Sequence, residues 1–129
     1  MIAIVDDDQS VGRALRRLLR SLEMEAEPFA GGRAFLERLE TQPSFRPDCV
    51  VLDIQMPDLN GIEVHNRLRR LRPSLPVIFI TAYEDGESRD RASAGGVVAC
   101  LRKPFSDTLF AQTLQAAFAQ DPSSSTTER

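Results

Sequence analysis

The fold of this 129-residue chain is decided by one stretch, Cys49-Val50-Val51-Leu52-Asp53-Ile54-Gln55-Met56-Pro57-Asp58-Leu59-Asn60-Gly61. An unbroken apolar run ends in the acid Asp53, and Met-Pro and Asn-Gly pairs then separate that acid from a helical pattern. Such a run is typical of a strand buried on both faces of a parallel sheet. Because chemistry in these sheets lies at the carboxyl ends of the strands, Asp53 is a candidate functional residue. Taken alone, an aspartate there is more often a turn residue or a helix cap.

Short apolar runs and helical patterns alternate along the rest of the chain. The predicted strands cover residues 2–5, 24–29, 49–52, 77–80 and 97–101. Apolar stripes at helical spacing span residues 11–22, 34–39, 62–71 and 110–118, and a weaker helix without large apolar anchors is predicted at residues 84–94. Five such alternations predict a doubly wound parallel α/β domain.

Composition and charge exclude several classes of protein. The chain is 42% hydrophobic and 27% charged, as in soluble globular proteins, and its net charge of -3 gives no sign of a nucleic-acid interface. No apolar stretch is long enough to cross a membrane and no signal-peptide pattern opens the chain, so we expect a cytoplasmic location. We expect Cys49 and Cys100 to be free, buried thiols. One domain is predicted over residues 1–120, with residues 121–129 as a disordered tail or the stump of a linker.

Four of the predicted strands end in polar residues that can carry chemistry. Asp6 and Asp7 follow the first strand, Asp53 the third, Thr81 the fourth, and Lys103 comes just after the fifth. Each has an ordinary interpretation by itself, but the carboxyl ends of parallel strands meet at one edge of the sheet. Lys103 is the single lysine beside fifteen arginines. A compact ammonium suits a tight anionic site that a guanidinium fork does not fit.

The chemistry of this set of side chains points to phosphoryl transfer. Three carboxylates packed together repel one another unless a cation joins them, and a hard cation with oxygen ligands describes Mg²⁺. A carboxylate can attack phosphorus to form an aspartyl phosphate. The hydroxyl and the ammonium would then hold oxygens of the transferring group.

Four pieces of sequence together resemble the receiver domain of two-component response regulators. They are Ile4-Val5-Asp6-Asp7-Asp8, Leu52-Asp53-Ile54-Gln55-Met56-Pro57-Asp58-Leu59-Asn60-Gly61, Phe79-Ile80-Thr81-Ala82 and Arg102-Lys103-Pro104-Phe105. The resemblance extends from about residue 2 to about residue 119 and is closest to FixJ-like receivers, which usually precede a helix-turn-helix DNA-binding domain. It implies a flavodoxin-like (βα)5 fold, with a five-stranded parallel sheet in the strand order 2-1-3-4-5.

The resemblance also implies a metal site. Asp7 and Asp53 are expected to bind Mg²⁺ directly, together with the backbone carbonyl of Gln55, and Asp6 is expected to act mainly through water. Mn²⁺ is an alternative ion. Asp8 matches a variable position of the family, and we interpret it as a helix cap.

For the phosphoryl group, the resemblance implies three roles. Asp53 is the expected phosphoacceptor, Thr81 is expected to turn toward the phosphoryl group, and Lys103 is expected to pair with it. A cis bond between Lys103 and Pro104 is also expected, because it would aim the lysine at Asp53.

The implied partners are proteins. The phosphoryl donor is expected to be a sensor histidine kinase or a phosphotransfer protein, and the downstream effector is unknown. A phosphorylation-dependent homodimer is a further implied partner, whereas neither nucleic acid nor a membrane is expected to bind this domain. The output is expected on the face built by the fourth helix, the fifth strand and the fifth helix.

Two departures from the family pattern affect that face. Receivers usually have Tyr or Phe three residues before the lysine, where this chain has Cys100. The fourth helix usually carries apolar anchors, where this chain has Ser88, Asp90 and Ser93. We therefore expect residues 83–94 to move as a loosely packed unit, against the alternative of a short polar helix without a signalling role.

Three functions compete at this stage. The first is a phosphorylatable switch that catalyses only its own phosphorylation and dephosphorylation, and so is not a turnover enzyme. The second is a magnesium-dependent phosphohydrolase with Asp53 as nucleophile, for which an acid two residues after Asp53 would speak. Gln55 stands there instead. The third is a receiver-like module that binds proteins without phosphorylation.

Overall fold

The protein is described by a computed structural model over residues 1–82 and 97–119. The predicted fourth helix and the segment expected to move, within residues 83–94, lie outside the described residues. The same holds for the predicted tail at residues 121–129. These three expectations remain predictions from the sequence.

Strands and helices alternate in the described residues as the sequence predicts. The strands are β1 (Ile2–Val5), β2 (Ala26–Phe29), β3 (Cys49–Asp53), β4 (Val77–Thr81) and β5 (Val97–Arg102). The helices are α1 (Gln9–Ser21), α2 (Gly32–Thr41), α3 (Gly61–Leu71) and α4 (Asp107–Ala119), of which α4 is the helix predicted as the fifth. The strands pair in parallel in the order β2-β1-β3-β4-β5, which confirms the flavodoxin-like fold.

The central strands are apolar up to the polar residues Asp53 and Thr81 that end β3 and β4, and both faces of the sheet are covered. Successive side chains of a strand point to opposite faces. In β1, Ala3 and Val5 join a core cluster with residues of α2 and α3, whereas Ile2 and Ile4 join a second cluster with residues of α1 and α4. Helices therefore pack on both faces, and the polar residues after each strand are left at the edge.

Side-chain caps begin three of the described helices, and that of α1 is the predicted cap Asp8. Asp8 accepts a hydrogen bond from the Ser10 backbone N–H at the start of α1. Asn60 and Glu63 form both bonds of a capping box at the start of α3. The Ser106 hydroxyl accepts from the Leu109 N–H before α4.

Some predicted boundaries were wrong. β2 begins at Ala26 rather than residue 24, because Glu23 adopts a left-handed φ of 62° and the Met24 N–H still bonds back to the Leu19 carbonyl at 2.9 Å. Leu22, predicted in the apolar stripe of α1, is exposed at the end of that helix.

The two cysteines are free thiols. Cys49 is buried as predicted, whereas Cys100 is only half-buried, since the first four residues of the edge strand β5 are covered incompletely. None of the helices within residues 1–82 and 97–119 is long and apolar enough to cross a membrane.

Candidate functional site

The sheet brings the carboxyl ends of four strands to one edge at nearly the same level. Val5 of β1 pairs with Leu52 of β3, so that Asp6 and Asp53 follow as neighbours. Asp53 pairs with Ile80 of β4, one residue before Thr81. These registers place residues that are up to 97 positions apart in the sequence within contact distance, as for the bond between Lys103 and Asp6.

Three carboxylates form an acidic cluster at this edge. Asp6 and Asp53 are each only 3% exposed, whereas Asp7 is exposed. One carboxylate oxygen from each lies within 4.8 Å of the others. Burial, and next the charge of Asp6, raise the pKa of Asp53 from its ordinary 3.8 to about 7, against the opposing effects of Lys103 and of the Gln55 backbone N–H. The cluster thus holds more negative charge than its surroundings neutralise.

Lys103 supplies the positive charge of the site. Its Nζ lies 2.9 Å from Oδ2 of Asp6 and 3.6 Å from Oδ2 of Asp53. Burial alone lowers the pKa of Lys103, but the hydrogen bond to Asp6 and the charges of Asp53 and Asp6 together raise it above its ordinary value. The ammonium is therefore charged at neutral pH and lies between the two buried acids.

The backbone around Lys103 has the predicted geometry. The Lys103–Pro104 peptide bond is cis, as the sequence comparison with receivers implies. The Lys103 N–H donates to the Thr81 carbonyl at 2.7 Å, which ties the end of β5 to the end of β4. Phe105 stacks on Phe110 at a ring-centroid distance of 5.8 Å, so the loop after the lysine is anchored on α4.

Thr81 is connected to the site by the side chain of Gln55, for which the sequence predicted no hydrogen bond. The Thr81 hydroxyl donates to Oε1 of Gln55 at 2.7 Å. The backbone N–H of Ala82 donates to the same oxygen at 3.1 Å. The Gln55 carboxamide therefore accepts from two donors at the end of β4. Its position two residues after Asp53 was the available signal, but a contact across 26 residues depends on the tertiary structure.

Backbone groups hold the acids in place. The Gln55 N–H donates to Oδ1 of Asp53 at 3.3 Å, and the Asp8 N–H donates to Oδ1 of Asp6 at 2.8 Å. Behind Asp53, the Ile54 N–H donates to the Ile80 carbonyl at 2.9 Å. Each carboxylate thus keeps a second oxygen turned toward the centre of the cluster, where Lys103 lies.

The acidic cluster fits a hard divalent cation. Its donors are carboxylate oxygens, and its exposed member Asp7 leaves an open side for water or a phosphate oxygen. Three acids lie beside the single ammonium of Lys103, so a cation would neutralise the remaining negative charge. Asp6, Asp7 and Asp53 are thus the side chains that could hold the ion. The part predicted for the Gln55 backbone carbonyl remains a prediction.

Comparison with known proteins gives consistent results over almost the whole chain. The response regulator receiver domain is a family whose sequence model matches residues 2–115. Nodulation protein W of Bradyrhizobium diazoefficiens is 36% identical over 121 residues, which are 94% of this chain and 52% of that protein. The transcriptional regulatory protein FixJ of the same bacterium is 32% identical over 119 residues, covering 92% of this chain and 57% of that protein. The chain spans about half the length of the curated relatives it matches, as the 52% shows.

A solved structure is also similar. The crystal structure of a response regulator receiver protein from Burkholderia phymatum is 51% identical and superposes with a TM-score of 0.81. The match covers 94% of this chain and 97% of that one.

Proposed function

The chain belongs to the response regulator receiver domain family of two-component signalling, and we propose that it is a phosphorylatable switch with Asp53 as its phosphoacceptor. One observation carries the proposal. The buried carboxylate of Asp53 lies at a strand end, 3.6 Å from the ammonium of Lys103 and beside two further acids. A nucleophile needs a nearby positive charge to receive an incoming phosphoryl group, and this arrangement provides it.

The transfer uses few groups. A carboxylate oxygen of Asp53 forms a bond to phosphorus while the bond from phosphorus to the donor breaks, and the electron pair of that bond leaves with the donor's imidazole or carboxylate group. Lys103, which is charged at neutral pH, pairs with an oxygen of the transferred group. Thr81 turns its hydroxyl toward another of these oxygens.

The acids serve a divalent cation as well as the phosphoryl group. Asp7 and Asp53 are proposed as direct ligands of Mg²⁺ or Mn²⁺, with the Gln55 backbone carbonyl, and Asp6 acts through water. When bound, the cation supplies positive charge that offsets the charge of the cluster and of the phosphoryl oxygens. Asp6 at the same time holds Lys103 in place through their 2.9 Å bond.

The partners follow from the proposed chemistry. A sensor histidine kinase or a phosphotransfer protein in the cytoplasm donates the phosphoryl group, and an effector domain or protein responds to it. The relatives that match over about half their length include a transcriptional regulatory protein. The output face includes β5 and α4 and can also mediate a phosphorylation-dependent homodimer. Neither nucleic acid nor membrane is proposed to bind this domain.

The two competing functions are less well supported. A phosphohydrolase needs a group near Asp53 that moves protons during turnover, and Gln55 offers a carboxamide that does not titrate. A module that works without phosphorylation does not need three acids close together, two of them buried, because burial and repulsion between the acids cost stability. We therefore propose a switch and not a turnover enzyme.

The test is incubation of the protein with Mg²⁺ and acetyl phosphate, followed by intact-mass measurement and mapping of the modified residue. We expect one phosphoryl group per chain on the wild type and none on Asp53→Asn. Asp58→Asn is the matched control, since Asp58 lies in the same loop, is exposed, and pairs with Arg33 instead. It should be phosphorylated like the wild type.

The other outcomes separate the alternatives. Phosphorylation of Asp53→Asn at the wild-type level would show that the nucleophile is misassigned. Sustained release of phosphate from phosphate esters would favour the hydrolase. The absence of modification in the wild type, with Mg²⁺ present, would favour the module that works without phosphorylation.

A further inference from the structure

The end of β4 contains a small pocket for an oxygen atom, and the chain fills this pocket itself. A hydroxyl, from Thr81, and a backbone N–H, from Ala82, converge on a single acceptor, Oε1 of Gln55. Two donors converging on one oxygen form the kind of arrangement that stabilises an oxyanion. In this protein the oxygen belongs to a neutral carboxamide.

This pocket lies close to Asp53, where a phosphoryl group would be attached. Gln55 follows Asp53 by two residues, and its own N–H bonds to Oδ1 of Asp53 at 3.3 Å. Asp53 pairs in register with Ile80, so Thr81 and Ala82 extend past the level of the Asp53 carboxylate on the neighbouring strand. A phosphoryl group on Asp53 projects beyond that carboxylate, toward these donors.

We infer that the Gln55 carboxamide oxygen occupies the place of a phosphoryl oxygen and that Gln55 must leave this place before Thr81 and Ala82 can bind the phosphoryl group. The inference rests on the proposed function and assigns Gln55 as a positioning residue for it. Gln55 acts by holding Thr81 and Ala82 in the unmodified state. On phosphorylation of Asp53, a phosphoryl oxygen replaces the Gln55 carboxamide oxygen as the acceptor for Thr81 and Ala82. No covalent bond of Gln55 changes.

A second feature makes such a device useful in this chain. The position where receivers usually have an aromatic ring is Cys100, which is half-buried at the edge of the sheet. A thiol is too small to report on the position of Thr81 by filling or leaving a cavity. The Gln55 side chain, half-buried in the loop after β3, touches Thr81 directly and changes its place when Thr81 turns.

The test measures the affinity of the protein for beryllofluoride, which mimics the phosphoryl group, with Mg²⁺ present, for the wild type and for Gln55→Met. Methionine keeps the length and shape of the side chain but offers no comparable acceptor. Because the bonds from Thr81 and Ala82 to Gln55 then no longer have to be given up, Gln55→Met should bind beryllofluoride about 25-fold more tightly, which is about fivefold for each of the two hydrogen bonds. Gln9→Met is the matched control at the exposed start of α1 and should bind like the wild type.

Three further measurements separate positioning from a general structural effect. In a Thr81→Val background, Gln55→Met should tighten the binding by only about fivefold, because only the Ala82 bond remains to be released. In the free protein, hydrogen exchange of the Ala82 amide should be about fivefold faster in Gln55→Met than in the wild type. In the wild type, the same amide should shift its NMR signal when beryllofluoride binds.

The results that would overturn the inference differ from those that would overturn the function. If the wild type binds beryllofluoride but Gln55→Met binds it no more tightly, or tightens equally with and without the Thr81 hydroxyl, Gln55 does not act as inferred. If the wild type takes up neither beryllofluoride nor a phosphoryl group, the proposed function and the inference fall together.

Discussion

Asp53 lies where burial and charge oppose its ionised form. Its pKa of about 7, raised by burial and then by Asp6, means that the folded protein binds a proton there more tightly than the unfolded chain, whose aspartates have an ordinary value of 3.8. The folded state is therefore stabilised by this proton fully below pH 3.8, and the stabilisation is lost as the pH rises through about 7. Above that range the ionised carboxylate of Asp53 lowers the stability of the folded protein.

It follows that Asp53→Asn should stabilise the metal-free protein. At about pH 8, with EDTA, we expect the free energy of unfolding to rise by roughly 1 to 2 kcal/mol, with partial screening by solvent taken into account. The gain should shrink as the pH falls toward 5. Urea unfolding across this pH range measures it.

Asp58→Asn provides the control of opposite sign. The Arg33 side chain lowers the pKa of Asp58, so removal of that charge should bring no stabilisation at any of these pH values. A wild type that is as stable as Asp53→Asn at pH 8 would contradict the expected charge repulsion.

Lys103→Arg should not be a conservative change. The ammonium contacts Asp6 and Asp53 from one point, at 2.9 and 3.6 Å, and a longer, forked guanidinium cannot take both positions in the same space. We expect the rate of phosphorylation by acetyl phosphate to fall about tenfold or more, with the fold retained.

The neighbouring arginine offers a matched control for that experiment. Arg102→Lys makes the reverse exchange at an exposed position one residue earlier, and it should leave the rate within about twofold of the wild type. Equal rates for Lys103→Arg and the wild type would remove Lys103 from the proposed machinery.

At the scale of elements, the start of α3 is packed directly onto the end of β3. A Cβ atom on Gly61 would lie 2.8 Å from the Ile54 Cα and would also collide with the Asp53 carbonyl. The Gly61 N–H bonds to the Ile54 carbonyl at 3.0 Å, which fixes the same approach. The helix thus sets the position of the backbone that carries Asp53, the proposed phosphoacceptor.

Gly61→Ala should therefore destabilise the protein by about 2 kcal/mol or more, since backbone atoms cannot move aside as a side chain can. Gly31→Ala is the comparison, because a Cβ there meets nothing within 4 Å and the φ of -172° is extended. It should cost about 0.5 kcal/mol or less, as a small change of helix cap. Urea unfolding of both variants measures the difference, and equal costs would refute the close packing.

At the scale of the whole molecule, a cation at the acidic cluster couples binding to stability. The ion should bind the folded chain and not the unfolded one, because only folding brings carboxylate oxygens of Asp6, Asp7 and Asp53 within 4.8 Å of one another. With free Mg²⁺ at about ten times its Kd, the folded state gains about 1.4 kcal/mol, and the Tm should rise by about 3 to 5 °C.

The variant Asp7→Ala should lose most of this Mg²⁺-dependent rise in Tm, because it removes a proposed direct ligand. Asp8→Ala is the control, since Asp8 caps α1 by accepting from Ser10. It should lower the Tm with and without Mg²⁺ by similar amounts and keep the rise. A full rise in Asp7→Ala, measured by thermal unfolding, would exclude Asp7 as a ligand.

The sequence by itself determined the fold, and with it which polar side chains meet at one edge of the sheet. The pattern of apolar residues is a local property of the sequence, so runs such as Val77-Ile78-Phe79-Ile80 predict strands covered on both faces. Parallel pairing then carries Asp6, Asp53, Thr81 and Lys103 to one edge. The ends of elements were less well determined. Ala26 rather than Met24 begins β2 because the turn at Glu23 depends on how α1 packs.

Only the tertiary structure decided how the members of the site are connected. Hydrogen bonds between residues far apart in the chain depend on sheet register and on the direction of side chains, which no local pattern contains. In the sequence, Gln55 is notable only because it stands where an acid would favour a phosphohydrolase. The structure shows its carboxamide accepting hydrogen bonds from Thr81 and Ala82. The raised pKa of Asp53 is likewise a collective effect of burial and of neighbours contributed by other strands, and it arises only when the chain is folded.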